Sequence, residues 1–323
     1  MSTTTGSSVP SHDRWIDMSA IMRMENLQWR AKSIVDGFHN GLHRSPKHGF
    51  SVEFSEYRPF SLGDDPRTID WKLFARSDRY YIKKFEDETN RRCYLVVDQS
   101  KSMQYRSLDY SKLEYARTMA ATLAYYWTLQ RDAVGLVTFD AKLAEVLPAR
   151  YRTGQLKRAL TMLSRDASGE STNLVDPLRH LAELVTRRSL IVLVSDFLVD
   201  PASVRQAFAF LGARRHEILL MQVLDPAETE WKQEKPAMIR DIETGRELFV
   251  DPGTAAATYK KRFDLHQKQW QEMAAQLGLG WLSLRTDESI ELALLDLLQR
   301  QQRAGGGPAR GRTSATSFSG GSR

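Results

Sequence analysis

A single cysteine, Cys93, stands among 323 residues. That excludes an intramolecular disulfide framework, a zinc finger and a four-cysteine iron–sulfur cluster, and it fits a reducing compartment. Long apolar runs are also missing. The longest strongly apolar stretch, Leu190 to Val194, is strand length, far short of the ~18 residues of a membrane helix. Residues 1–14 (MSTTTGSSVPSHDR) show no basic start followed by an apolar core, so no secretory signal is read and the cytoplasm is the expected location. Charge of one sign does not dominate either. The 46 basic and 40 acidic residues leave a net +6, and the signs interleave. From Arg58 to Arg92 there are nine Lys/Arg against seven Asp/Glu, a mixed solvated surface rather than a nucleic-acid stripe. What is present is ordinary for a globular protein: 41% hydrophobic and 27% charged residues. The length leaves room for about two domains at ~150 residues each.

Residues 1–17 read as a disordered N-terminus, and 304–323 (AGGGPARGRTSATSFSGGSR) as a disordered Gly/Ser/Arg tail, because such segments bury too little to offset ordering entropy. Residues 18–90 read as a helix plus a small β subdomain. Ile21, Met24, Leu27, Ala31 and Ile34 are spaced for one helical face over Met18 to Asp36. His39 to Gly49 reads as a solvated loop. His39 and His43 are four apart, but Gly37, Gly41 and Pro46 argue against a rigid helix presenting both to a metal. Strand character appears at 50–57 and again from Arg79 to Phe85.

From about residue 91 to 300 strands alternate with helices. Tyr94 to Val97 is followed by an amphipathic helix over Lys112 to Gln130. Ala133 to Phe139 and Leu143 to Leu147 are strands around a tight turn at Asp140. Leu190 to Val194, Glu217 to Val223 and Trp281 to Leu284 are further strands, with helices between and after them and a hairpin at Ile239 to Val250. The pattern predicts an α/β fold, a mostly parallel sheet with helices on both faces. Ligands of such sheets sit at the C-terminal strand ends, where Asp98, Asp196 and Asp225 fall.

The first of these strands ends in VVDQSKSM, placing Asp98, Ser100 and Ser102 at alternating positions. GESTNL then supplies Ser171 and Thr172 before a helix, and LVSDF supplies Asp196. Together these residues point to a divalent cation site. Mg²⁺ prefers six oxygens at about 2.0–2.1 Å and keeps some of its water. Three neutral hydroxyls (Ser100, Ser102, Thr172) and two carboxylates (Asp98, Asp196) leave such an ion under-neutralised, so a carboxylate from another molecule can complete its shell. The alternative is structural: Ser100 and Ser102 cap a helix or turn, and Asp196 caps the next helix.

The Asp98-x-Ser100-x-Ser102 pattern, with Thr172 and Asp196, resembles the metal-ion-dependent adhesion site of von Willebrand factor A domains. Upstream, EFSEYRPFSLGDDPRTIDWKLFARSDRYYIKKFEDE (Glu53 to Glu88) resembles the signature block of the bacterial domain of unknown function 58 family. The residues that carry this are Glu53, Phe54, Arg58, Gly63, Asp64, Asp65, Arg67, Ile69, Asp70, Trp71, Ala75 and Arg76. The resemblance implies a von Willebrand factor A-like (Rossmann-like) domain acting as a binding module beside a MoxR-type AAA+ ATPase, with Mg²⁺ or Mn²⁺ at Asp98, Ser100, Ser102, Thr172 and Asp196. Two departures from the A-domain pattern stand out. Lys101 puts a cation beside the expected metal, and Ser195–Asp196–Phe197 replaces the usual Thr-Asp-Gly turn. Read from the residues themselves, Gly63 to Arg76 is scaffold: a turn at Gly63-Asp64-Asp65-Pro66, an Arg67/Asp70 pair and Trp71 as an anchor.

Three functions compete. A metal-dependent protein-interaction module, binding a partner's Asp or Glu, accounts for the whole constellation and is not an enzyme. A metal-dependent phosphohydrolase using Asp98 as nucleophile is the alternative, but its usual second carboxylate two residues on is replaced by Ser100, and no Gly-x-Ser-x-Gly elbow or phosphate-binding Gly-Lys-Ser/Thr loop is present. Nucleic-acid binding would rest on the basic tail alone.

Overall fold

The computed structural model describes residues 17–43, 56–59, 74, 76, 79–84, 91–167, 169, 173–230, 236–240 and 245–305. Of the sequence expectations, Thr172, Ser171, residues 1–16 and 306–323, and the signature residues Gly63, Asp64, Arg67, Asp70 and Trp71 lie outside these residues; the last helix runs to Gly305, two residues into the segment read as a disordered tail. Arg58 is described only as part of a strand backbone.

The chain opens with two helices, α1 (Met18–Met22) and α2 (Leu27–His43). The single helix expected over Met18–Asp36 is therefore divided, and it runs past the expected loop start at His39. Asn26 is the cause of the division: its side-chain carbonyl accepts the backbone N–H groups of Gln28 and Trp29 at 2.9 and 3.2 Å, starting a fresh helix. Buried Phe38 explains the extension, because its burial in the core draws the helix on through Gly37. Strands β1 (Glu56–Pro59) and β2 (Tyr81–Lys84) form a separate antiparallel pair.

The main sheet has six strands: β3 (Arg92–Asp98), β4 (Ala133–Phe139), β5 (Leu143–Arg150), β6 (Leu190–Ser195), β7 (Glu217–Leu224) and β10 (Gly280–Arg285). Their spatial order is β10-β7-β6-β3-β4-β5, parallel throughout except for β5 at one edge. A short pair, β8 (Ala237–Arg240) and β9 (Glu247–Val250), forms the expected hairpin. The helices between are α3 (Lys112–Leu129), α4 (Gln155–Leu163), α5 (Val175–Leu184), α6 (Pro201–Ala213), α7 (Pro226–Thr229), α8 (Pro252–Gln276) and α9 (Ile290–Gly305). This is the expected α/β architecture, a mostly parallel sheet with helices on both faces.

Strand alternation divides the core in two. Cys93, Leu95 and Val97 of β3, with Val192 and Val194 of β6, meet the face covered by α2, α3, α4 and α9. Tyr94 and Val96, with Ile191 and Leu193, meet the face covered by α5, α6 and α8. The central strands are buried on both faces, which is why they read as continuous apolar runs. Their sequence order reverses between β3 and β6, and that switch point is where an open α/β sheet presents a ligand crevice.

Candidate metal centre

β3 leaves the sheet at Asp98. The last ladder bond comes from the Gln99 N–H to the Phe139 carbonyl at 2.7 Å. The Asp98 carboxylate then turns the chain by accepting the Ser100 N–H at 2.8 Å, a local bond typical of Asp at turns. A 3₁₀ turn follows over Lys101–Gln104, and Met103 beneath it is fully buried in the core. The loop is thus held at both ends, by the strand and by Met103. Ser100 stands at the N-cap of this turn but makes no side-chain capping bond. Its Oγ lies 3.1 Å from Ser102 Oγ. Ser100 is buried, and Ser102 is nearly so.

β6 delivers the second carboxylate. Val97 of β3 pairs with Val194 of β6, so Ser195 lies level with Asp98 and Asp196 one residue beyond. Ser195 Oγ donates to the Asp98 carboxylate at 2.6 Å and accepts the Phe197 N–H at 3.1 Å. Asp98 and Asp196 are both completely buried. Burial, and then the neighbouring Asp196 charge, push the Asp98 carboxyl up to about 7, against the hydrogen bonds from Ser195 and Ser100. Two carboxylates this close and this dry call for positive charge.

Part of that charge is already supplied. Lys112, the first residue of α3, is completely buried, with Nζ 2.9 Å from Asp196 and 2.6 Å from Glu228. Burial opposes its ammonium form, but Asp196 and Glu228 outweigh it and raise its pKa. Glu228 is fixed in turn: its other oxygen accepts the Asp225 N–H at 2.8 Å in the capping box of α7. Asp225 accepts the Ser107 N–H at 2.8 Å and its hydroxyl as well. Lys101, between Ser100 and Ser102, is exposed.

Phe197 takes the left-handed conformation, φ 54°, at the position where the A-domain pattern carries glycine. Its ring is buried between Trp270 and Trp281, with centroids at 4.8 and 5.4 Å, and its carbonyl meets His266 Nε2 at 2.9 Å. The turn after Asp196 is therefore pinned to α8. Opposite it, Gly169 lies so close to the Asp98 loop that an added Cβ would stand 2.3 Å from the Gln99 carbonyl oxygen. Only glycine fits there.

Four of the five expected ligands fall among the described residues, and Asp98, Ser100, Ser102 and Asp196 come to one end of two adjacent central strands. Among the described residues no group of three or more His, Cys, Asp or Glu is placed to hold a metal. A centre here therefore needs the hydroxyls. The donor set fits Mg²⁺ or Mn²⁺: hard oxygens, and buried carboxylates that Lys112 leaves partly uncompensated beside the Ser100 and Ser102 hydroxyls.

The family described as "Protein of unknown function DUF58" matches residues 56–272. The chain belongs to that family. This DUF58 chain is 27% identical over 271 residues to an uncharacterized protein of Mycobacterium tuberculosis, covering 82% of the chain and 84% of the relative. Among solved structures it is similar to an aerotolerance-related membrane protein from Bacteroides fragilis (17% identity, TM-score 0.47, 64% of this chain and 98% of that one). It is also similar to BatB from Bacteroides thetaiotaomicron (16% identity, TM-score 0.46, 65% and 98%). No helix among the described residues of the DUF58 chain is long and apolar enough to cross a membrane.

Sequence reasoning missed Lys112, Glu228, the bond from Ser195 to Asp98, and Gly169. Lys112 did leave a signal. A lysine opening a helix sits against the positive end of the helix dipole, which is unfavourable unless an acidic partner holds it.

Proposed function

We propose that this chain is a metal-dependent protein-interaction module of the cytoplasm rather than an enzyme. Mg²⁺ or Mn²⁺ would be held by Asp98, Ser100 and Ser102, with Thr172 and Asp196 completing the protein's share, directly or through water. The bound ion supplies positive charge and an open position for a partner's Asp or Glu carboxylate. The observation that carries this reading is the meeting of two fully buried carboxylates, Asp98 and Asp196, with the adjacent hydroxyls of Ser100 and Ser102 at the ends of neighbouring strands. Gln99 Nε2, a buried donor with no hydrogen-bond partner among the described residues, belongs to the same loop and is a candidate to receive the carboxylate's second oxygen. The residues favour binding over turnover. The position two after Asp98, where a phosphoryl-transfer site would carry its acid, is Ser100. The family resemblance makes a MoxR-type AAA+ ATPase the partner to try first, in a chaperone-like complex.

Calorimetric titration of Mg²⁺ and Mn²⁺ into the parent and into Asp98→Ala tests the site. Partner capture with and without EDTA tests its use. Saturable binding in the parent, absent in the variant, together with EDTA-sensitive capture, is the expected result. Capture that survives both EDTA and the Ser100→Ala/Ser102→Ala pair would defeat the proposal.

A further inference from the structure

The proposed centre already contains a positive charge. Lys112 Nζ lies 2.9 Å from one Asp196 carboxylate oxygen, and the other accepts the Leu198 N–H at 3.3 Å. The Asp196 backbone carbonyl is held by Gln222 Nε2 at 3.1 Å. Each Asp196 carboxylate oxygen thus already has a partner, one of them charged, whereas the donors to Asp98 among the described residues are neutral: Ser195 Oγ, the Ser100 N–H and the Ser100 side chain. Lys112 cannot drift to solvent: it is completely buried, carries Glu228 at 2.6 Å and has the Tyr105 ring at 5.9 Å.

We propose that Lys112 is a resident counter-cation that competes with the divalent ion for Asp196 and so sets the metal affinity of the centre. This rests on the metal-site reading above and adds a specificity-determining residue to it. Counting full charges, Asp98, Asp196 and Glu228 against Lys112 carry a net charge of two negative, and the buried Asp225 that shares a capping box with Glu228 adds a third, so a divalent ion meets an excess of negative charge. An ion drawing on Asp196 must share it with the ammonium, and Glu228 is the carboxylate on which Lys112 falls back. The competition keeps the ion weakly held by the protein alone, so that a partner's carboxylate adds a large share of the final affinity.

The test is Mn²⁺ binding, read by the paramagnetic resonance signal of free Mn²⁺, in the parent, Lys112→Met and Lys112→Met/Glu228→Gln. Circular dichroism and thermal unfolding establish that each variant is folded. Removing one unit charge at contact range should tighten binding on the order of tenfold or more in Lys112→Met. The double variant restores the parent's net charge and relieves the uncompensated glutamate, which protects the experiment if the single variant does not fold. It too should bind Mn²⁺ more tightly than the parent, because Asp196 is free of its ammonium partner. Damage to the fold weakens metal binding, so tightening has the opposite sign from a merely structural effect. Unchanged or weaker binding in the folded double variant, with saturable binding in the parent, overturns the role of Lys112 and leaves the metal site standing. Absence of Mn²⁺ binding from every folded variant overturns both.

Discussion

At the scale of single residues, the site depends on side chains doing unusual things for reasons visible nearby. Phe197 is the clearest. A left-handed non-glycine residue costs about 1–2 kcal/mol, yet its ring fills the space between Trp270 and Trp281. Phe197→Ala removes the ring and keeps the strain, so a loss of about 3–5 kcal/mol is expected. Phe197→Gly loses the same ring but relaxes the backbone, and should be the more stable of the two by about 1 kcal/mol. Denaturant unfolding of both variants decides it; a glycine variant no more stable than alanine would mean the turn is unstrained. Residues of this kind set the limit of sequence reading. Asp98, Ser100, Ser102 and Asp196 were legible because a strand end followed by alternating oxygens is a local pattern. Lys112 and Glu228 were not, because their meeting depends on two helices converging from positions 116 residues apart.

At the scale of elements, strand and helix order was legible from periodicity. The boundaries were displaced wherever a cap or a buried ring intervened, as at Asn26 and Phe38. One junction makes its own prediction. Between α3 and β4 the chain turns through Arg131, at φ 61°. Asp132 then accepts the Arg91 N–H at 3.0 Å, tying the start of β4 to the start of β3. Burial raises the Asp132 carboxyl to about 6 despite that bond, whereas an unfolded Asp titrates near ~3.9. The folded state therefore holds this proton more tightly. The contribution of Asp132 to stability is fully present below the unfolded value and declines as pH rises through the folded one. Asp132→Asn removes that dependence. The stability of the parent relative to the variant should accordingly fall between about pH 4 and about pH 6 and level off above. Denaturant midpoints at several pH values read this directly, and a difference that stays flat or rises would contradict it.

At the scale of the whole molecule, the two hydrophobic faces of the sheet are complete without any ion. Cation removal should therefore leave the fold intact. An ion present at ten times its Kd adds about 1.4 kcal/mol, so EDTA should lower the thermal midpoint by only a few degrees with no loss of helical circular dichroism. Cooperative unfolding on chelation would show that the centre is structural. The alternation of strands and helices made this architecture readable from the sequence, but it could not say how the sheet ends. One end is β5, the single reversed strand. Charged Glu145 and Arg150, a proline at 148 and a register shift opposite Val134 and Leu136 interrupt it. A strand bearing these features is a poor template for another strand. The molecule is thereby guarded on that side against edge-to-edge polymerisation, and copies of it at high concentration can stand side by side without their sheets fusing there.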